Sequence, residues 1–528
     1  MAALQWLSLV AAIWLQAVSG TNTNFPVYSS RLKHLLSISQ VQLNNLAFAN
    51  DAGKLFGWFS GIAALYLPLW LVLLLGSSLG FVGYGVQYLF LVGKLASLSY
   101  WHVFVLTALA GNSICWINTV CYIVAIRNFP LDRQVAVGIS TSYVGLSAKI
   151  FTDIVEAMNV SSPTDAAHAY LLLNSVLPLI VAVVASPIAR EIKVGVSKRL
   201  AGGFSLMFAI TIATGVYAVI TTSLGSEISR KKLLKHLSFS GMVVLLCLPM
   251  LVPLGQKITE LCRKKCPILP KNQVCDQQGL EGLEKAVSCD SIMRIEGGEA
   301  KEDGGSEIVV VVEEVKWRDL VKRGDFWLYF LVYFLGATLG LVYLNNLGQI
   351  AESRGFSNAS LLVSLSSSFG FFGRLLPSLY DYFFSMSKNK ISRPASIAVM
   401  MAPMCGAFFL LLHGSHGCLY TSTAIIGVCT GAITSVAVST TTELFGAKNF
   451  GVNHNILVTN IPIGSFIFGD FAAYLYKRQG RISGGIDGIC TGMQCFHTTF
   501  VVWGCLCFLG TCLAVFFHSR TRRKNNHH

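Results

Sequence analysis

The stretch Glu-Gly-Gly-Glu-Ala-Lys-Glu-Asp-Gly-Gly-Ser-Glu (residues 296–307) lies at the centre of a polar segment that runs from Thr259 to Asp325. This segment holds 14 of the chain's 26 acidic residues, whereas the sequence on either side is a succession of apolar runs. Glycine pairs among charged residues do not bury enough apolar surface to fold. We therefore predict two membrane-embedded halves joined by a mostly disordered linker, residues 259–325, in which only the apolar run Ile308–Val312 could dock on another surface.

The composition places the chain outside the soluble globular class. Its mean hydropathy is +0.59, and 53% of its 528 residues are hydrophobic while 12% are charged. A transmembrane helix needs roughly 20 apolar residues, and fourteen stretches qualify: 5–29, 41–67, 68–93, 101–127, 133–157, 167–187, 203–224, 239–257, 326–347, 359–383, 394–413, 418–441, 451–475 and 498–517. Because backbone polar groups in lipid must be satisfied internally, we predict an all-helical polytopic membrane protein. The net charge of +14 then fits cytoplasmic loops and lipid headgroups rather than nucleic acid.

The first apolar stretch could be read as a signal peptide that ends near Gly20. It lacks a basic start, and the polar run Thr21–Asn24 follows it directly. We therefore favour a first membrane helix over a cleaved signal.

The second span carries glycine at every fourth position, Gly53, Gly57 and Gly61, together with Asp51 and Lys54. A glycine stripe lets two helices approach closely. A charge at membrane depth is costly, so we expect Asp51 and Lys54, one helical turn apart, to pair and to face another helix or a cavity.

The second half repeats the first at an offset of 320 residues. This offset matches Gly20 with Gly340, Ser37 with Ser357, Gly53 with Gly373 and Lys54 with Arg374. Parallel six-helix repeats are typical of major facilitator transporters. The predicted organisation is a six-helix bundle (1–200), two inserted helices (201–258), the linker (259–325), a second six-helix bundle (326–518) and a tail (519–528). The helix count is about 14, and 12 remains possible if weak spans lie at the interface.

The distribution of basic residues predicts that both chain termini and the linker are cytoplasmic. In that orientation the two glycosylation sequons, at Asn159 and Asn358, both lie in outside loops. The basic group Arg230–Lys232 with Lys235 disagrees, because it would also lie outside.

Several segments resemble the plant nodulin-like, nuclear-fusion-defective-like branch of the major facilitator superfamily. The segments are Trp14–Gln16, Tyr28–Ser30, Ser39–Leu43, Trp116–Cys121 and, most specifically, Ile126–Pro130. The resemblance runs from about residue 5 to 515 and implies a multi-pass transporter whose substrate it does not name. The superfamily's Asp-Arg-x-Gly-Arg loop is absent after the second span, and a partial version remains as Gly373-Arg374 followed by Asp381. Glu443–Gly446 resembles the superfamily's turn before its penultimate helix.

The resemblance implies that spans 1, 4, 9 and 12 line a central cavity. Their polar and aromatic residues are the candidate cavity residues: Asn22, Asn24, Asn112, Trp116, Asn118, Tyr343, Asn345, Asn346, Thr430, Ser435 and Ser439. Hydroxyls can instead bond to their own helix. The asparagine amides need partners in lipid, and their neutrality suggests a small polar or zwitterionic solute.

Charged residues suggest a gate and a route for protons. Lys54 and Arg374 occupy equivalent positions in the repeats, which suggests paired roles at the cytoplasmic gate, with Asp51 and Asp381 as their acidic partners and Glu443 nearby. Proton coupling needs a titratable group at depth, and the candidates are Asp51, His454 and Asp470.

The cysteines give one structural prediction and no cofactor. Cys490 and Cys495 share a short loop and could form a disulfide if that loop faces an oxidising compartment. Cys262, Cys266, Cys275 and Cys289 have irregular spacing, so we predict no metal site and no cofactor. The Gly-Lys pairs are not followed by Ser or Thr, which excludes a phosphate loop, and no other enzyme constellation is present.

The leading hypothesis is a secondary transporter of a small polar solute, with or without coupling to protons, in the plasma membrane or an endomembrane. The alternative is a non-transporting receptor or membrane-fusion-related factor that uses the linker to dock a cytosolic partner. Lipid is the expected surrounding in both cases.

Overall fold

The computed structural model describes residues 2–95, 97–160, 162–192, 201–224, 232–265, 314–356, 359–384, 392–482 and 490–525. In these ranges the regular structure is entirely helical. The first half contains α1 (Ala2–Ser19), α2 (Phe25–Leu36), α3 (Gln40–Ala52), α4 (Trp58–Tyr66), α5 (Leu69–Leu91), α6 (Tyr100–Asn128), α7 (Arg133–Ser142), α8 (Ser147–Ala157) and α9 (Pro163–Ala185). Three helices follow: α10 (Ala201–Ser223), α11 (Lys232–Cys247) and α12 (Leu251–Lys265). The second half contains α13 (Trp317–Leu320), α14 (Gly324–Tyr333), α15 (Leu339–Ser353), α16 (Ala359–Phe384), α17 (Arg393–Leu410), α18 (His416–Phe445), α19 (Phe450–Val458), α20 (Asn460–Ile482) and α21 (Gln494–Asn525).

Several membrane crossings consist of two helices joined by a short turn. Turns of 3₁₀ or π type connect α1 to α2, α3 to α4, α7 to α8, α11 to α12 and α14 to α15. Within the described ranges, twelve helical segments are long and apolar enough to cross a membrane. Two more segments have membrane length but fall outside that set: 40–66, formed by α3 and α4, and α16. Both carry charged side chains within them. The prediction of an all-helical polytopic protein is therefore confirmed.

Local sequence signals account for several helix starts. The Ser39 hydroxyl accepts a hydrogen bond from the Gln42 N–H, and the Gln42 side chain accepts one from the Ser39 N–H, which forms a capping box at α3. Ser392 and Ser415 cap α17 and α18 in the same way with their hydroxyls. These caps satisfy backbone donors that would otherwise have no partner at the start of a helix.

Glycine contacts confirm that the two halves are repeats. A Cβ atom on Gly53 would lie 2.0 Å from a carbonyl oxygen of α6, and one on Gly373 would lie 2.2 Å from a carbonyl oxygen of α18. In the reverse direction, a Cβ atom on Gly111 would lie 1.9 Å from a carbonyl oxygen of α3, and one on Gly431 would lie 2.4 Å from a carbonyl oxygen of α16. Both pairs are 320 residues apart. The second and fourth crossings of each half therefore pack backbone to backbone in the same way.

Each half has its own apolar core. The core of the second half is built from buried residues between Val315 and Phe517. The first half has two clusters, one of which contains Trp6 and Tyr143 and the other Tyr28 and Phe151. The first of these also extends across the interface to Phe371, Leu375, Val438 and Phe450 of the second half. The inserted helices α10 to α12 pack against α1, α8 and α16, and α1 is itself buried within the first half.

The interface between the halves follows the repeat. The second crossing of each half contacts the fifth crossing of the other: α3 and α4 pack on α20 and α19, and α16 packs on α7. We call one end of the bundle the linker end, because Asn128, Arg190, Val315, Asp325 and Arg520 lie there. The opposite end, called the far end, holds Asn159, Ser353 and Gly492.

The Ile126–Pro130 turn ties the first half together at the linker end. Asn128 is fully buried and donates to the Ser8 hydroxyl at 2.8 Å and to the Arg190 carbonyl at 3.0 Å. Its own carbonyl accepts a hydrogen bond from the Gln5 amide at 2.9 Å. The most specific motif of the sequence is therefore a structural joint between α1, α6 and the segment after α9.

Some predictions fall on residues outside the described ranges. These are the disorder of residues 266–313 together with the run Ile308–Val312, the glycosylation site Asn358, the repeat partner Ser357, the linker cysteines Cys266, Cys275 and Cys289, and the basic residues Arg230 and Lys231.

Candidate functional site

Gln134 of α7 joins the halves near the linker end. Its amide nitrogen donates to the Ser435 hydroxyl at 3.2 Å, and its amide oxygen accepts from the Ser439 hydroxyl at 2.5 Å. The Ser378 hydroxyl of α16 donates to the Gln134 backbone carbonyl at 2.7 Å. All four residues are buried. Ser435 and Ser439 were predicted as cavity residues, whereas Gln134 and Ser378 were not predicted.

A second contact between the halves lies beside α4 and α19. A Cβ atom on Gly61 would lie 2.4 Å from the backbone of Gly451 in the other half. Next to it, the Asn455 amide of α19 donates to the Thr119 hydroxyl at 2.8 Å and to the Ser60 hydroxyl at 3.4 Å. We call these contacts, together with those of Gln134, the linker-end seal.

Asp51 lies at the centre of a charged cluster that also spans the two halves. One carboxylate oxygen pairs with the Lys54 ammonium at 2.5 Å, as the spacing of the two residues predicts. The other oxygen accepts hydrogen bonds from the Asn345 amide at 3.1 Å and from the Ser465 hydroxyl at 3.0 Å, both in the second half. Asn345 is nevertheless exposed, and a Cβ atom on Gly348, one turn further along α15, would meet no atom within 4 Å. This part of α15 is therefore loosely packed.

Asn112 and Trp116 support this cluster from α6. The Asn112 amide donates to the Gly53 carbonyl at 2.9 Å, and the Trp116 indole donates to the Asn112 side chain at 2.7 Å. Asn118 is half-buried, and its buried side-chain oxygen has no hydrogen-bond partner in the described part of the chain.

Arg374 corrects one predicted pairing. Asp381 does not pair with Arg374. Both of its carboxylate oxygens bond to Arg393 at the start of α17, at 2.8 and 2.5 Å. Glu443 accepts a further bond from Arg393 at 2.9 Å. The physical reason is distance, since seven residues of helix separate Arg374 and Asp381 by about 10 Å along the axis, whereas Arg393 packs directly against α16.

The Arg374 side chain folds back along its own helix instead. Its guanidinium donates to the Gly370 carbonyl at 3.4 Å. It also lies within electrostatic range of the hydroxyls of Tyr122 in the first half and Tyr333 in the second half. Neither tyrosine was predicted as a site residue, because nothing in the sequence places them opposite Arg374.

His454 sits beside this group in an aromatic environment. Its ring lies 5.6 Å from the Tyr122 ring and stacks on Phe450 at 5.1 Å, and it is 3.3 Å from the Thr441 hydroxyl. The histidine is buried. Asp470, the third candidate for proton coupling, is exposed on α20 and near Lys477.

The remaining predicted cavity residues do not join one site. Asn24 donates to Asn174 at 2.7 Å within the first half, beside Asn22, which is half-buried. In the second half, the buried Tyr343 hydroxyl bonds to Thr423 at 2.7 Å, Thr430 packs against Gly340, and Asn346 donates to its own helix. These polar groups therefore make their hydrogen bonds within one half. The structure therefore brings together Asp51, Lys54 and Asn345, and separately Ser435 and Ser439, but not the full predicted set.

Two surface predictions lie at the far end. Cys490 and Cys495 form a disulfide. Asn159 is half-buried after α8, with a positive φ of 52°.

Solved structures show which class of protein has this fold. A major facilitator proton:xylose symporter, XylE, covers 97% of this chain with a TM-score of 0.55 at 11% identity, and 95% of that protein is covered. The E. coli fucose:proton symporter FucP covers 97% with a TM-score of 0.54 at 9% identity, and 98% of it is covered. With its two six-helix repeats, the chain is an integral multi-pass membrane protein with the major facilitator fold.

Sequence comparison defines the family. The Nodulin-like family matches residues 5–254, and the family described as NFD4, C-terminal domain, matches residues 308–526. The chain is 40% identical over 540 residues to Protein NUCLEAR FUSION DEFECTIVE 4 of Arabidopsis thaliana, which covers 98% of this chain and 89% of the relative. It is also 24% identical to a probable transporter, MCH1, of Yarrowia lipolytica over 34% of this chain and 38% of the relative. The chain belongs to the nodulin-like, nuclear-fusion-defective-like family.

Proposed function

We propose that this protein is a secondary transporter that moves a small polar solute by alternating access. The observation that carries the proposal is the linker-end seal, in which polar side chains and glycine backbones of the two repeats meet directly. Such contacts can break and reform as the halves rock about the interface. The fold and the distant likeness to fungal proteins described as probable transporters support the same function.

We infer that the solute enters on the far-end side of the interface. Asn345 is exposed there, although it bonds across the interface to Asp51. A solute entering from the far end would reach Asp51, Lys54 and Arg374 before it met the seal.

Asp51 is the candidate that best fits proton coupling. Its carboxylate bonds to Lys54 in its own half and to Asn345 and Ser465 in the other half. Protonation would remove the ion pair and weaken both charge-assisted bonds across the interface. Proton binding would therefore change the contacts that hold the halves together. His454 packs among aromatic rings and Asp470 lies outside this network, so we assign them no proton role.

Uptake into proteoliposomes tests the proposal. We expect the purified protein to accumulate a member of a panel of small polar solutes when the vesicles carry a proton gradient, and accumulation to be abolished by a proton ionophore. Asp51→Asn should keep exchange of labelled for unlabelled solute and lose accumulation driven by the gradient. Equal accumulation by wild type and Asp51→Asn would contradict the role of Asp51, and no uptake across the panel would contradict transport.

A further inference from the structure

Arg374 is a cation at the interface between the halves that no acidic side chain pairs with in the described ranges. The Lys54 ammonium is neutralised by Asp51 at 2.5 Å, and the Lys149 ammonium by Asp153 at 2.6 Å. Arg393 is held by Asp381 and Glu443. Within the described ranges, no carboxylate lies within ion-pair distance of Arg374.

The internal repeat explains why Arg374 lacks an acid. At the offset of 320 residues, Lys54 corresponds to Arg374 and Asp51 corresponds to Phe371. Phe371 is fully buried and packs edge-on against Tyr143, with ring centroids 6.0 Å apart. The second repeat therefore keeps the cation and replaces its partner with a phenyl ring. An unpaired charge at membrane depth is costly, so an arrangement that retains one points to a missing anion.

The surroundings of Arg374 have unused hydrogen-bonding capacity. Its guanidinium has five N–H groups, and its hydrogen bond in the described part of the chain is the long one, 3.4 Å, to Gly370. The guanidinium interacts electrostatically with the hydroxyls of Tyr122 and Tyr333. Tyr122 belongs to the first half and Tyr333 to the second, so Arg374 interacts with one tyrosine from each half.

The position of Arg374 along α16 fits a binding group. Ser378, which belongs to the linker-end seal, lies one turn further along the helix, and the Arg374 side chain points away from it toward Gly370. Gly370 and Ser378 are separated by eight residues, or about 12 Å of helix. The guanidinium therefore lies on the far-end side of the seal, in the path of a solute that the seal would stop.

We propose that the transported solute is a small organic anion whose carboxylate binds to the Arg374 guanidinium between the hydroxyls of Tyr122 and Tyr333. The guanidinium fork matches the two oxygens of a carboxylate, and the tyrosine hydroxyls donate further hydrogen bonds to them. This inference rests on the proposed transport function and narrows the solute from a polar molecule to a carboxylate. It also gives the binding site a member from each half, as alternating access requires.

Binding to the purified, full-length protein tests this inference without a membrane gradient. The probes are acetate, lactate, succinate and malate, with the matched neutral amides acetamide, lactamide and succinamide, and with inorganic phosphate as a second oxyanion. The readout is the thermal unfolding temperature as a function of probe concentration, because a ligand that binds the folded state raises it. We expect at least one carboxylate to raise this temperature and its amide to leave it unchanged.

Variants connect the binding to Arg374. Arg374→Gln should weaken carboxylate binding by about 10-fold or more, the loss expected when a hydrogen-bonded charge is removed. Arg374→Lys keeps the positive charge but loses the paired N–H donors of the guanidinium. It should therefore bind carboxylate with intermediate affinity. Lys322→Gln, a substitution at an exposed lysine, is the matched control and should bind as wild type does. If Arg374→Gln does not fold, carboxylate should protect Arg374 of the wild-type protein from phenylglyoxal, as measured by mass spectrometry.

Four outcomes would overturn the inference: no carboxylate stabilises the protein, the amides stabilise it equally, phosphate alone stabilises it, or the carboxylate effect survives in Arg374→Gln without protection of Arg374. The uptake assay separates this inference from the transport proposal. Carboxylate binding without uptake would leave the site intact and contradict transport, whereas uptake of a neutral solute would leave transport intact and contradict the site.

Discussion

Gly61→Ala is expected to shift the equilibrium between the two orientations of the halves. The added Cβ atom would lie 2.4 Å from the Gly451 carbonyl carbon and from the Val452 nitrogen. Ordinary van der Waals contact begins near 3.4 Å, so the backbones of α4 and α19 must separate by about 1 Å. Because these backbones belong to different halves, the substitution raises the free energy of the state in which the seal is closed. The packing inside each half stays intact.

The size of the shift follows from the cost of overpacking. Inserting a methyl group into a well-packed contact costs roughly 1–3 kcal/mol, which corresponds to roughly a 5- to 140-fold change in the ratio of closed to open states. Hydrogen–deuterium exchange measures this change directly. We expect faster exchange in α7 and α19 near the seal, together with slower solute uptake.

Two glycines on the same stripe are matched controls. At Gly57, an added Cβ atom would meet side-chain atoms of Cys115 and Asn455 at 3.0 to 3.1 Å, and these can move by a few tenths of an ångström. Gly57→Ala should therefore behave nearly as wild type does. At Gly53, the Cβ atom would meet the α6 backbone of the same half at 2.0 Å, so Gly53→Ala should lower the yield of folded protein. Unchanged hydrogen–deuterium exchange and uptake in Gly61→Ala would show that the contact of Gly61 with Gly451 does not hold the seal closed.

Three further predictions concern charges. Lys54→Met should destabilise the protein by about 3 kcal/mol, because it leaves the Asp51 carboxylate buried and unpaired, and adding Asp51→Asn should restore part of the unfolding temperature. Arg393→Gln should lower the unfolding temperature, and adding Asp381→Asn should restore part of it. Adding Asp381→Asn to Arg374→Gln should restore nothing. Glu314→Gln should speed hydrogen–deuterium exchange at the start of α19, with a loss of local stability of about 1 kcal/mol. The Glu314 carboxylate accepts one hydrogen bond from the Ala447 N–H and two from the Lys448 N–H, just before that helix.

The sequence predicts features that depend on spacing along one helix. The Asp51–Lys54 pair follows from a separation of three residues, and the close approach at Gly53 and Gly61 follows from the glycine stripe. The repeat follows from one constant offset, and the helical, polytopic fold follows from the length and number of apolar runs.

Features that depend on how helices pack together could not be predicted from the sequence in the same way. The asparagine at position 24 is polar in an apolar span, but its partner Asn174 lies 150 residues away. Likewise, Gln134 stands beside charged residues at the start of a span, and only packing shows that it reaches α16 and α18. The pairing of Arg374 with Asp381 was wrong because proximity in the sequence was weighed above the position of Arg393 in the next helix.

One measurement tests directly whether the halves separate at the linker-end seal during transport. The Ser378 hydroxyl bonds to the Gln134 backbone at 2.7 Å and lies 3.4 Å from the Gln134 side-chain nitrogen, so cysteines at these two positions are suited to a disulfide across the seal. Uptake by Gln134→Cys/Ser378→Cys proteoliposomes should stop on oxidation and recover on reduction, while wild-type protein treated in the same way remains active. Undiminished uptake with the cross-link verified by mass spectrometry would contradict alternating access at this seal.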